Sequence, residues 1–282
     1  MPVQKERCLT CQGALSIKKL SNDKRGCLHL IENILLFLAA VLGGALNSVA
    51  GGGSFFTFPA LILMGMPPIN ANATNTVVLW PGSLASVGAY RKELITEKRR
   101  LMVYGGVSLL GGALGAVLLL HTEQSTFKKL IPYLLLIATL LFTFGGTAAT
   151  WIRSRFRISH DLSSQAKIGI LFLQLLIAIY GGYFGGGIGI LMLALLTIVG
   201  MENIHAMNAL KTLLATCING MAVITFIAAG AVIWSKALLM VSGAVLGGYG
   251  GAYYAQKINP VWVRRFVTVT GSLLTIYFFT KY

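Results

Sequence analysis

From residue 30 to the C-terminus the chain reads as eight apolar stretches, near 30–65, 70–90, 101–120, 130–150, 168–200, 205–229, 236–254 and 263–280. Short polar or basic links separate them. Stretches of roughly 20 apolar residues are long enough to cross about 30 Å of hydrocarbon as helices. The pattern therefore predicts an all-α integral membrane protein of about eight transmembrane segments. The first and fifth stretches are too long for one straight helix across a bilayer, at about 1.5 Å of rise per residue. Each contains a run of three glycines, Gly51, Gly52 and Gly53 in one and Gly185, Gly186 and Gly187 in the other. Glycine is costly inside a helix, so each run predicts a break.

These two stretches are copies of one pattern. Residues 50–71 and 185–206 align without a gap at an offset of 135, pairing Gly51 with Gly186, Leu61 with Leu196, Gly65 with Gly200, Met66 with Met201 and Ala71 with Ala206. The polar link 151–167 divides the chain into homologous halves of four segments, 30–150 and 168–282, each opening with a glycine-broken helix. A basic tail, 1–29, precedes them. Broken helices at matching points of two halves mark the solute site of many transporters.

Polar positions sharpen that expectation. After the first broken segment come Asn72, Asn75, Thr76, Ser83 and Ser86; after the second come Asn208, Lys211, Thr212 and Asn219. At 100° per residue each set falls on one helix face. Amides and hydroxyls there can hydrogen-bond an oxyanion without a fixed protonation state. The glycines leave backbone N–H groups free at the start of the next half-helix, where partial positive charge favours anions. Lys211 is the cation set well inside a predicted span, where charge is expensive and normally faces a cavity or a partner. The candidate solute-binding set is thus Gly51, Gly52, Gly53, Asn72, Asn75, Thr76, Ser83, Gly185, Gly186, Gly187, Asn208, Lys211, Thr212 and Asn219. Pro59 and Pro81 are expected to kink or end their helices.

Composition agrees with a membrane setting. The sequence is 56% hydrophobic and 11% charged, where soluble domains carry about 25% charged residues. The net charge of +15 would point to nucleic acid in a soluble protein, but the basic residues gather in links and tails, as the positive-inside bias requires. With eight crossings and the N-terminus inside, 17 Lys and Arg fall inside against five outside. This places the tail, the 91–100 loop and the 151–167 link in the cytoplasm. The basic loop between the third and fourth segments of the second half fits better if that half is inverted, so the relative direction of the halves stays open.

Catalytic and cofactor chemistry is not expected. HExxH, P-loop and Ser/His/Asp patterns are missing, and the eight acids leave almost none within the membrane. Cys8, Cys11 and Cys27 do not complete a four-ligand zinc site, so neither metal nor cofactor is predicted. Glu202 and His205 read as turn residues. A cleaved signal over 1–50 is disfavoured, because the apolar run continues to Met64 and the same pattern recurs at 168–200.

The run AGGGSFFTFPALILMG, followed by ANATNTVVLWPGSLASVGAYRKEL and the later MNALKTLLATCINGMAVITFI, resembles the sulfite exporter TauE/SafE family over about residues 30–280. The second half departs from the first at Ala194, which stands opposite Pro59, and at Ala209 and Leu210, which stand opposite Thr74 and Asn75, with Lys211 following. The resemblance implies secondary transport of a small sulfur oxyanion or organosulfonate, such as sulfite or sulfoacetate, across a bacterial-type plasma membrane. The partners expected are that anionic solute and the lipid bilayer, with homo-oligomerisation left open. A passive anion channel, or a carrier of an unrelated organic anion, is the alternative.

Overall fold

The computed structural model describes residues 29–47, 51–89, 98–155, 164–201, 203–255 and 260–282. These are helical throughout apart from short turns, with no strand among the described residues. The elements are α1 (His29–Asn47), α2 (Ser54–Leu63), α3 (Pro68–Ala89), α4 (Lys98–His121), α5 (Gln124–Arg155), α6 (Ser164–Tyr183), α7 (Ile188–Ile198), α8 (Ile204–Ala228), α9 (Trp234–Ala255) and α10 (Pro260–Lys281). Five spans within these helices are long and apolar enough to cross a membrane: His29–Asn47, Arg100–His121, Gln124–Gly145, Gln165–Tyr183 and His205–Ala228. Leu110, Leu118, Phe172, Ile224 and Leu246 expose their side chains along the outside of the bundle. In lipid that is the low-energy arrangement, because bilayer hydrocarbon is as apolar as a protein core.

The long first and fifth stretches are each two helices, as the glycine runs predicted. Gly51 (φ +74°), Gly185 and Gly187 (both φ +79°) adopt the left-handed conformation that cannot continue an α-helix. The half-helices α2 and α7 then end in the same way. Gly65 and Gly200 are left-handed (φ +78° and +82°). Met66 N–H donates to Leu61 O and Gly65 N–H to Ile62 O, while Met201 N–H donates to Leu196 O and Gly200 N–H to Thr197 O. Each is a Schellman stop. The recurring Leu, Gly and Met of the sequence repeat are the residues of that stop. Pro59 and Pro81 sit inside α2 and α3 and end neither.

Each half-helix folds back along the helix before it. A Cβ on Gly43 of α1 would meet Thr57 of α2, and one on Gly53 would meet the Gly43 carbonyl at 2.4 Å, so α2 descends beside the end of α1. In the second half, Ile188 packs back against Gly181. Segments one and five are therefore hairpins, and the expectation that each contributes one crossing gives way to a chain that turns back within the bundle.

The fold-back settles the direction of the two halves. Equivalent helices run antiparallel: α5 against α10 through Tyr133–Phe279 and Thr139 beside Gly271, and α3 against α8 through Asn70 at Ala231 and Trp80 at Thr216. Helix α1 instead lies parallel to α9, with Lys236 on Asn33 and Gly247 against Val41. Its counterpart α6 lies parallel to α4, with Gln174 on Ser108 and Gly182 against Gly112. The seams are reciprocal, α1 on α9 and α6 on α4, α2 on α10 and α7 on α5. The two halves are inverted repeats, each with five helical elements among the described residues. Glycines line both parallel seams, where an added Cβ would stand 1.9 Å from the Val41 carbonyl or 2.2 Å from the Gly112 carbonyl. Such close backbone approach is how membrane helices gain packing energy.

Helix directions also place His29 and Lys281 at one end of the bundle, and Lys98, Arg155 and Ser164 at the other. The tail itself and most of the 91–100 and 151–167 links lie outside the described residues.

Candidate functional site

Both glycine breaks arrive at one turn of α5. Gly52 packs on Phe142, while Gly186 and Gly187 pack on Ala138 and Leu141. On the other side of the first break, Gly52 meets Val267 and Gly271 meets Phe55. Phe55 and Phe142 stand edge to face at 5.4 Å, and Phe58 meets Phe184 likewise at 5.6 Å. Aromatic packing thus holds the starts of α2 and α7 together in the middle of the bundle.

Neither half-helix has a side-chain cap at its N-terminus. In α7 the first backbone bonds are those of Ile190 and Leu191 to Gly187 O, so the N–H groups just before them have no place in the helical ladder. The positive end of each short helix faces the centre.

The polar residues of α3 divide into three roles. Asn75, buried, donates through Nδ2 to Ser54 Oγ at 3.3 Å, and its Oδ1 receives the Thr57 hydroxyl. Thr57 Oγ1 also lies 3.1 Å from Gly53 O. Asn72 donates to the Tyr183 carbonyl at 3.0 Å, binding the first half to the end of α6, and its buried Oδ1 is without a partner. Thr76 turns its hydroxyl back to Asn72 O, and Ser83 bonds Leu79 O while receiving Asn47 Nδ2. The structure thus brings Asn75 to the first break directly and sets Ser83 beside the end of α1.

On α8, Thr212 repeats the backward bond, to Asn208 O at 2.8 Å. Lys211 extends along Gly189, its Cδ 3.5 Å from where a Cβ would sit on that glycine, and donates to Asn208 Oδ1 at 3.2 Å. Asn219 Oδ1 lies 3.7 Å from the corresponding point on Gly185. Three of the α8 candidates, Asn208, Lys211 and Asn219, therefore gather around the second break.

Several contributors were missed by reading the duplication alone. Ser54 and Thr57 complete the Asn75 cluster, Asn47 reaches Ser83, and Tyr180 donates to Gly186 O at 2.7 Å across the second break. Their counterparts at the repeat offset are different residue types, so no duplicated signal marked them. Trp80, donating to Thr216 O and lying on Gly220, ties α3 to α8 where they cross.

This framework has relatives. A family described as "Sulfite exporter TauE/SafE" matches residues 36–278. The chain belongs to that family. It is 30% identical over 243 residues to a "Probable membrane transporter protein" of Haemophilus influenzae, covering 86% of this chain and 92% of that one. It is 28% identical to "Probable membrane transporter protein ORF9" of a Sinorhizobium species, over 88% and 92% of the two chains. With "Probable membrane transporter protein YfcA" of Escherichia coli it shares 27% over 86% and 87%. No solved structure matches it. This TauE/SafE member is a multi-pass plasma-membrane protein of a membrane-transport family.

Proposed function

We propose that this TauE/SafE protein is a secondary transporter, not an enzyme, that carries a small sulfur oxyanion or organosulfonate such as sulfite. The observation that carries the reading is the meeting of two uncapped half-helix N-termini on one turn of α5. Two positive helix ends at one place attract an anion and repel a cation. Inverted repeats supply the means of movement, because rocking one repeat against the other can open a central site to either side in turn. The Asn72–Tyr183 bond and the Trp80–Thr216 bond span the two repeats, so they are contacts that such rocking would strain.

The test is flux of radiolabelled sulfite into proteoliposomes, with and without an imposed pH gradient. Uptake that the gradient accelerates is the expected result. Uptake indifferent to every gradient would make the protein a channel, and a lack of flux for every sulfur oxyanion tried would overturn the reading.

A further inference from the structure

The two breaks share an outline, left-handed glycine followed by an uncapped half-helix, and differ in charge. The offset of 135 that matches α2 with α7 pairs Ser54 with Gly189 and Thr57 with Met192. Past Ala71 and Ala206 the polar residues of α3 and α8 match one step further on, at 136, which sets Asn72 with Asn208, Asn75 with Lys211 and Thr76 with Thr212. In the first repeat Ser54, Thr57 and Asn75 spend their polar atoms on one another beside the start of α2. In the second repeat no such cluster can form. Gly189 has no side chain, Met192 is apolar and fully buried, and Lys211 fills the lane that Gly189 leaves open.

The ammonium of Lys211 has three hydrogens to donate, and Asn208 Oδ1 accepts one of them. It forms no ion pair among the described residues. Glu32 and Glu123 are the acidic residues among those described, and both belong to the opposite end of the bundle: Glu32 pairs with His29 near the start of α1, and Glu123 lies in the turn between α4 and α5. A cation held among apolar helices with no acidic partner among the described residues is expensive. The stem of Lys211 passes beside Gly189 in the first turn of α7, so the ammonium stands near the helix end whose N–H groups lie outside the ladder, and both features favour negative charge.

We propose that the second repeat alone holds the charge of the transported solute, as a singly charged oxyanion between Lys211 and the N-terminus of α7. The first repeat presents a neutral, self-bonded counterpart. This assignment rests on the anion-transport reading above and narrows it to one side of the central site and one charge. A monoanion neutralises the lysine. A dianion would bring a second negative charge beside a single lysine, with only the partial charge of the helix end to meet it, and that cost selects against it.

The experiment uses the purified full-length protein with methanesulfonate and sulfate as probes, one carrying a single charge and the other two. Titration calorimetry should show methanesulfonate binding more tightly than sulfate. The variant Lys211→Gln should weaken methanesulfonate by at least about tenfold, as expected on removing one partner of a buried charged pair. Gly189→Ser, which copies Ser54 and crowds the lysine, should weaken it severalfold and guards against misfolding of the Gln variant. Lys236→Gln, in a lysine that bonds Asn33 far from the breaks, should bind as wild type. Anomalous scattering from bromide should place a peak beside Lys211 and Gly187. A bromide peak beside Ser54 and Asn75, tighter binding of sulfate, or unchanged affinity in both Lys211→Gln and Gly189→Ser would overturn the assignment. Normal binding with no flux of any anion would instead overturn the transport reading and leave the site standing.

Discussion

The first glycine break is flanked by a self-bonded cluster of Ser54, Thr57 and Asn75, and the second by a lysine. The frames are alike: left-handed glycines at the break, a half-helix of ten or eleven residues, and a Schellman stop at Gly65 or Gly200. Inside that frame the first repeat sets Ser54, Thr57 and Asn75, and the second sets Gly189, Met192 and Lys211. Backbone geometry is shared because both hairpins must turn back within the bundle. Side-chain chemistry has diverged within that shared frame, polar and self-bonded in one repeat and cationic in the other. Symmetry of fold therefore does not require symmetry of binding, and the charge of Lys211 is a property of one repeat.

The inversion itself is the part of this comparison with the most absolute consequence. Helix directions place Lys98 and Lys281 at opposite ends of the bundle. Single cysteines at these two positions, in a background lacking Cys8, Cys11, Cys27 and Cys217, should label from opposite sides of the membrane. One should react with an impermeant thiol reagent in intact cells, and the other only after permeabilisation. Equal reactivity of both from one side would break the inverted arrangement and, with it, the pairing of the two breaks.

Next in size are the glycines, where equivalent positions are expected to fail for different reasons. Gly187 is left-handed at φ +79°, and a β-branched residue there carries backbone strain as well as contact with Leu141 at 3.3 Å. Gly52 has no such strain, but a side chain would press on Val267 and Phe142 at 3.1 and 3.2 Å. Both Gly187→Val and Gly52→Val should lower sulfite flux while the protein still inserts. The loss of thermal stability should be greater for Gly187→Val, by about 1–2 kcal/mol, the cost of left-handed backbone in an ordinary residue. Equal losses would mean that packing on α5, not backbone conformation, governs both breaks.

What could be read from the sequence follows the same division. The broken helices were legible because runs of glycine do not continue a helix, and the stops because Gly65 and Gly200, both left-handed, recur without a gap beside Met66 and Met201. The direction of the repeats was not, since a count of Lys and Arg presumes that every long apolar stretch crosses once. Stretches one and five turn back, so helix parity changes while composition does not. Asn75 and Lys211 were visible as candidates and as a departure between the halves. Their opposite roles depend on Ser54 and Gly189, which lie about 20 residues upstream and meet them only through the hairpin. Thr76 and Thr212 share the polar faces but return their hydroxyls to the carbonyl four residues back, a habit that periodicity cannot distinguish from ligand binding.

The smallest effect separates the two breaks. Ser54→Ala removes the acceptor of Asn75 Nδ2, and Asn75 is only 2% exposed, so water cannot readily replace it. Loss of one neutral bond at a buried amide costs about 1 kcal/mol. For a chain of this size that is a fall of about 2–4 °C in the melting midpoint, measurable in detergent by thermal unfolding. Methanesulfonate affinity should stay within twofold of wild type, because the freed amide adds no positive charge and lies beside α2 rather than α7. In the same titrations Lys211→Gln should lose affinity without a comparable loss of stability. Were Ser54→Ala to weaken the anion as much as Lys211→Gln does, the two breaks would be equal partners in one site. The asymmetry would then be one of residue type and not of function.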